Sequence, residues 1–236
     1  MEIVSRLRRT PLFVLLQMLL RLIPFRPVEI GRLCFLRFDG IPRVPKGMLR
    51  GPAQVRLATE ADVPGLTRLQ DRRGAFLSRF ANGDLCVVAM IGSLIVGYEW
   101  FSEAAEHVEA VWGLTIAIPR NFVYAYDGYV DAAYRNSGIW LRFKGFLGEW
   151  MRSRDKSGVL TFVDYGNFAS LNTHRRFGFV PSGTVFAVKV FGRSFFRRRN
   201  LPGPSSSLPA STLAPRAAVD PDTVTRSPTA SRPRPA

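Results

Sequence analysis

Apolar and polar positions change their spacing several times between residues 54 and 190, and each change marks an element. Short apolar or alternating runs predict strands at 54–57, 85–91, 94–101, 110–117, 122–130, 159–164 and 180–190. Helical spacing predicts helices at 60–70, 72–81, 139–154 and 168–177. Thr59 or Glu60 opens the first helix, and Asp62 puts a negative charge in its first turn, where free N–H groups favour one. Ile91-Gly92-Ser93-Leu94 forms a tight hairpin turn. Gly178 stops the last helix. A hairpin-rich first half followed by strand–helix–strand–helix predicts an α/β fold, a central mixed sheet flanked by helices.

The ends follow other patterns. Met1 to Phe25 is basic and then apolar, with Arg6, Arg8 and Arg9 ahead of Leu12 to Pro24. That apolar stretch is shorter than the roughly 20 residues a spanning helix needs, and Gln17 and Arg21 interrupt it. No Ala-x-Ala cleavage site follows it. As a helix it is basic and amphipathic, suited to an anionic membrane surface. The alternative is a helix docked on the domain, including a contact between copies in a homodimer. Glu29 to Phe38 alternates and predicts a strand added to one edge of the sheet. Ile41 to Pro52 is a Pro/Gly/Lys linker. Residues 201–236 hold eight of the seventeen prolines, with Ser, Thr and Ala between and no apolar period. Such a tail buries too little surface to offset its ordering entropy and is expected to be disordered. The organisation is an N-terminal extension over 1–50, a domain over 54–196 and a tail over 197–236.

Composition narrows the partners. The chain has 236 residues, 47% of them hydrophobic, enough for one well-buried domain with extensions. Its net charge is +15, and residues 1–50 carry ten Lys/Arg against three acidic residues. This suits an anionic partner: a phospholipid surface, a nucleic acid or an acidic substrate. The basic residues are scattered and no recognition helix or stacking motif accompanies them, which argues against nucleic acid. Cys34 and Cys86 are the only cysteines and His107 and His174 the only histidines. They predict no disulfide framework and no metal site, and they fit a reducing, cytoplasmic compartment.

Two stretches carry the candidate chemistry. Val130-Asp131-Ala132-Ala133-Tyr134-Arg135-Asn136-Ser137-Gly138-Ile139-Trp140 joins a strand to a helix. The first N–H groups of a helix have no internal partner and stand at its positive end, so such a turn suits an anion. Gly138 has no Cβ to hold a phosphate off the backbone. The second stretch, Asn167 to Phe179, reads as a short helix stopped by glycine. In order and spacing, Arg135-x-x-Gly138-x-Trp140 and Asn167-x-x-Ser170 with Gly178-Phe179 resemble the GNAT acetyltransferase superfamily. So do Val55 to Asp62 and the hairpin ending in Ile95-Val96-Gly97-Tyr98. The resemblance covers about Gln54 to Phe191.

The resemblance implies acyl transfer from acetyl-CoA, or another acyl-CoA, to an amine, with no metal. It implies a pyrophosphate at the N–H groups of Asn136, Ser137, Gly138, Ile139 and Trp140, with Arg135 adding charge. It implies a pantetheine arm along Tyr129 and Val130, and Ser170 and Asn167 beside the coenzyme; Asn167 is equally a helix cap. Glu99 ranks ahead of Asp127 and Glu109 as the group that takes the amine proton. Two residues depart from the pattern: Trp140 replaces a small residue, and His174 replaces the tyrosine that protonates the departing thiolate. Histidine can give a proton near neutral pH, and a solvated place beside Arg175 and Arg176 is the alternative. Other readings are a coenzyme-binding protein without turnover and a basic module that binds membrane or nucleic acid.

Overall fold

The computed structural model describes residues 11–200 apart from 46, 48 and 50; the tail from 201 and the first ten residues, expectations included, lie outside it. In chain order the elements begin with α1 (Leu12–Arg21), β1 (Val28–Asp39) and β2 (Gln54–Leu57). A single 3₁₀ turn, Glu60–Asp62, leads into α2 (Val63–Leu69) and α3 (Arg73–Ala81). Then come β3 (Leu85–Ile91), β4 (Leu94–Ser102), β5 (Glu106–Glu109), β6 (Leu114–Ala117) and β7 (Phe122–Val130). The chain continues with α4 (Ile139–Arg152), β8 (Gly158–Asp164), α5 (Phe168–Phe177), β9 (Val180–Val190) and β10 (Arg193–Arg199).

Eight strands make one sheet in the order β10-β9-β1-β8-β7-β4-β3-β2, and β5 and β6 form a separate hairpin. Neighbours in the large sheet are antiparallel except β7 and β8, which run parallel through the α4 crossover. The mixed sheet flanked by helices is the architecture the pattern predicts. Thr59 and Asp62 cap the entry to α2 reciprocally, and Arg56 holds the Asp62 carboxylate at 2.7 Å.

Three expectations are corrected. The strand over residues 28–39 does not add to an edge; β1 lies inside the sheet, between β8 and β9. Leu33, Phe35 and Leu36 are all buried, so this strand covers apolar side chains on both faces and needs neighbours on both sides. The single strand expected at 110–117 is a hairpin instead, because Gly113 takes a left-handed conformation (φ 66°) between β5 and β6. Finally, β10 continues the fold past residue 196. An edge strand carries charge readily, so its four arginines masked it.

The sheet has two covered faces. On one, α2 and α3 bury Leu66 and Phe76 against Tyr98 and Trp100, and the β5–β6 hairpin extends this core over Phe35 and Leu160. On the other, α4 lays Ile139, Phe143, Leu147 and Met151 on Val87, Val123 and Val159. Helix α1 packs through Phe13, edge-on to Tyr165 and Phe186, and through Gln17. Its leucines Leu12, Leu16 and Leu19 face outward. No helix among the described residues is long and apolar enough to cross a membrane.

Candidate active site

The site begins where two parallel strands part. β7 and β8 pair only from Phe122–Gly158 to Tyr124–Leu160. Beyond that, the residues from Ala125 to Val130 leave β8 and keep only β4 beside them. A bulge causes the departure. Tyr98 pairs with Tyr129 and Trp100 with Tyr126, so Glu99 of β4 faces two residues, Asp127 and Gly128. The extra residue bends β7 and adds twist. Asp127 stands at φ 44°, held by Arg72 (3.2 Å) and Arg79 from the helix side. Gly97 lets the strands close up again: a Cβ there would stand 2.8 Å from the Tyr129 carbonyl oxygen.

The turn that follows has the form expected of an anion site. Asn136 (φ 65°) and Gly138 (φ 79°) are both left-handed, and Gly138 caps α4. The N–H groups of Ser137, Gly138 and Ile139 donate to no backbone carbonyl among the described residues. Arg135 is exposed at the turn and its Nε donates to the Val130 carbonyl at 3.3 Å. Ile139 is buried as the first anchor of α4.

Between α4, α5 and the sheet lies a buried charged pair. Lys144 is fully buried, and its Nζ donates to Glu99 Oε1 at 2.6 Å. The ammonium also lies 4.9 Å from the Trp140 ring and within 6 Å of Phe101 and Phe179. Glu99 Oε2 is buried without a partner among the described residues. The glutamate side chain reaches the bulge, where a Cβ on Gly128 would come within 3.5 Å of it. Burial raises the Glu99 carboxyl above the ordinary carboxylate range, with Lys144 pulling the other way.

His174 is not on a solvated face. It is buried, with its ring edge-on to Trp140 (4.9 Å) and Phe179 (5.0 Å). Nδ1 lies 2.8 Å from the Ser170 carbonyl oxygen, which can only accept, so the ring proton sits on Nδ1. Burial, helped by the Lys144 charge, pushes the imidazole down to about 4. Near neutral pH the ring is uncharged and its Nε2 carries no proton to donate. The resemblance implies a proton donor at His174; the ring there is buried, with Nδ1 on the Ser170 carbonyl. Trp140 turns onto His174 and Phe177 and fills the space between α4 and α5.

The structure brings Glu99, Trp140, Ser170 and His174 into one cluster at the parting, with Val130 on the same face of the sheet; the Tyr129 ring lies on the other face, stacked on Tyr98 at 6.0 Å. It assigns Asn167 to capping: its Oδ1 accepts from Ser170 N at 3.1 Å. Asp127 turns to its arginines, and Glu109 lies on the hairpin, also raised by burial. Lys144 escaped the sequence reading. Its signal was a lysine within the apolar stripe Ile139, Phe143, Leu147 and Met151.

No protein-family model matches the chain, and no curated protein matches it. Solved structures do. A tandem GNAT protein from the clavulanic acid biosynthesis pathway aligns over 71% of this chain and 55% of its own, at 13% identity and a TM-score of 0.50. An aminoglycoside N-acetyltransferase in complex with CoA aligns over 54% of this chain and 91% of its own, at 13% identity and a TM-score of 0.45. A functionally unknown conserved protein from Staphylococcus epidermidis aligns over 76% of this chain and 68% of its own, at 14% identity and a TM-score of 0.49. The chain thus spans about half the length of the tandem protein. At such identities the likeness concerns fold, and the fold of this chain is the GNAT fold.

Proposed function

We propose that this protein is an N-acyltransferase that moves an acetyl or other short acyl group from a coenzyme A thioester to an amine. The observation that carries the reading is the parting of β7 from β8 beside the free N–H end of α4, with a buried carboxylate at the bulge. The freed edge at Tyr129 and Val130 suits an extended amide-bearing arm. The turn from Arg135 to Trp140 suits its diphosphate. The coenzyme supplies the activated acyl group; the chain's own residues handle the protons. Glu99 takes the proton that the amine sheds as its nitrogen bonds to the acyl carbon. Lys144, in the role that the resemblance implies for His174, holds a proton for the sulfur as the carbon–sulfur bond breaks. The 2.6 Å hydrogen bond between them then returns the proton from carboxyl to amine, so the pair ends as it began.

Titration calorimetry with acetyl-CoA tests the binding half. Gly138→Asp sets a carboxylate against the phosphates and is expected to abolish binding; unchanged affinity in the folded variant sinks the reading. A panel of amines assayed by thiol release tests the chemistry, with Glu99→Gln expected to lower kcat by about 10²-fold or more. Coenzyme binding with no turnover on any amine would leave a coenzyme-binding protein, a reading that the Trp140 ring between α4 and α5 favours.

We also infer that α1 rests on an anionic membrane, at its cytoplasmic face. Leu12, Leu16, Leu19, Leu22 and Phe25 are exposed, with Arg21 and Arg26 among them. Phe191, also exposed, joins this surface through its N–H to the Pro27 carbonyl (2.8 Å). Cosedimentation with anionic vesicles tests it, and sedimentation equilibrium tests the alternative of a homodimer.

A further inference from the structure

The parting of β7 from β8 and the apolar surface of α1 lie at one end of the sheet. β8 finishes at Asp164, across from Leu33 in the first half of β1, and the turn after β9 sets Phe191 next to the start of β1. Helix α1 leads into that same end, with Phe13 on Tyr165 and Gln17 on Asp164. The exposed side chains of Leu19, Leu22, Phe25 and Phe191 are therefore neighbours of the freed strands rather than of the paired end.

A recess of about 210 Å³ lies there between α1 and the β5–β6 hairpin, on the face of the sheet opposite the Glu99–Lys144 pair. Its polar lining is Gln17 and Arg21 from α1, Glu29 from β1, Glu109 from the hairpin and Asp164 from β8. Arg21 is exposed and the three carboxylates are half-buried, so solvent reaches them. In a chain of net charge +15, this lining holds three carboxylates against one guanidinium. None of the three is in an ion pair among the described residues. Lys189, across from Glu29, turns its ammonium to the Val111 carbonyl. Gln17 is only 5% exposed; its Nε2 donates to Asp164 Oδ2 at 3.4 Å, and its Oε1 accepts nothing among the described residues. A primary ammonium has three N–H donors, and Gln17 Oε1, Glu109 and Asp164 are acceptors for them. Arg21 suits a phosphate. The recess is smaller than a drug-sized site and matches a single headgroup.

We propose that the acyl acceptor is a primary amine on a phospholipid headgroup, its phosphate at Arg21 and its nitrogen among Gln17, Glu109 and Asp164. The inference rests on the acyltransferase reading and on α1 at the membrane, which sets the lipid beside the recess. Phe162 and Asp164 belong to the stretch of β8 past its last pair with β7, so the nitrogen meets the thioester through the parted strands. It enters as an ammonium and leaves as an amide, and so sheds two protons. The first goes to water. The second takes the Glu99–Lys144 route to the sulfur as the carbon–nitrogen bond forms and the carbon–sulfur bond breaks.

Thiol release from acetyl-CoA by the full chain tests this with three amines: ethanolamine, glycerophosphoethanolamine, and phosphatidylethanolamine in vesicles with phosphatidylglycerol. From ethanolamine to glycerophosphoethanolamine, kcat/KM is expected to rise at least about tenfold, through the phosphate at Arg21. The vesicle-borne headgroup should gain at least about tenfold more, from its concentration at the surface that α1 holds. Mass spectrometry should find N-acetyl-phosphatidylethanolamine in the vesicles. Arg21→Gln should level the two soluble amines, and Glu109→Gln should raise KM for glycerophosphoethanolamine about tenfold. The acetyl-CoA dissociation constant reports that each variant is folded, and Arg21, exposed on α1, keeps the test standing if Glu109→Gln does not fold. Turnover of soluble amines with no vesicle product overturns the lipid acceptor and leaves the acyltransferase standing. Equal kcat/KM for the two soluble amines overturns the recess as the headgroup site, as does an Arg21→Gln variant that keeps the preference or a Glu109→Gln variant with unchanged KM. No turnover on any amine overturns the acyltransferase reading, and this inference with it.

Discussion

At the scale of single residues, the cluster behind Glu99 makes two predictions that need no substrate. His174 is held neutral by burial, so the folded chain binds its proton less readily than the unfolded chain does. Stability from this site is full above the ordinary value of 6.5 and is lost as pH falls toward about 4. The shift corresponds to about 3 kcal/mol. Urea unfolding at about pH 7 and about pH 4.5 should show the wild type losing more stability than His174→Phe; parallel losses would mean that the ring titrates normally. Lys144→Met leaves the Glu99 charge buried and alone, and should destabilise by about 3–5 kcal/mol. Adding Glu99→Leu should recover much of that loss, since an apolar pair of similar size has no charge to desolvate. A double variant as weak as the single would show that the pair itself holds the helix down. The sequence ranked Glu99 first among the acids, yet it gave no sign of Lys144 as its partner. A pairing between residues 45 positions apart has no local signature; only the register of β4 under α4 creates it.

At the scale of elements, glycine shows which contacts an element depends on. Gly148 and Gly145 share helix α4. A Cβ on Gly148 would fall 1.9 Å from the Pro42 carbonyl oxygen, so Gly148→Ala should destabilise by about 1–3 kcal/mol. A Cβ on Gly145 would meet only Val44, at 3.8 Å, and there alanine's helix preference should add about 0.5–1 kcal/mol. Thermal melts of the two variants should move in opposite directions; a shared direction would mean the 41–44 segment does not bear on α4 as described. Elements with strong periods were legible: α3, α4, α5, β3, β4 and β7 lie within two residues of where the pattern puts them. The failures have one character. The edge strand β10, the Gly113 break and the interior place of β1 depend on which strands are neighbours, and a hydrophobic pattern reports burial without naming the neighbour.

At the scale of the whole molecule, charge and apolar surface act together. The chain carries +15, and the exposed leucines of α1 stand among arginines. Binding to phosphatidylserine vesicles should weaken several-fold as salt rises from about 0.05 to about 0.5 M, because exposed charges are screened within a few ångströms at the higher value. The pair Leu16→Ser and Leu19→Ser should release the protein even at low salt; retention would refute α1 as the contact. The interior place of β1 has a consequence of another kind, in the order of events during synthesis. Phe35 finds its partners Phe162 and Gly183 only after most of the domain has left the ribosome. At 5–20 residues per second, that is a wait on the order of ten seconds, during which an apolar strand has both edges open. The last strands made must therefore close around the first, and the sheet has no continuous centre until they do.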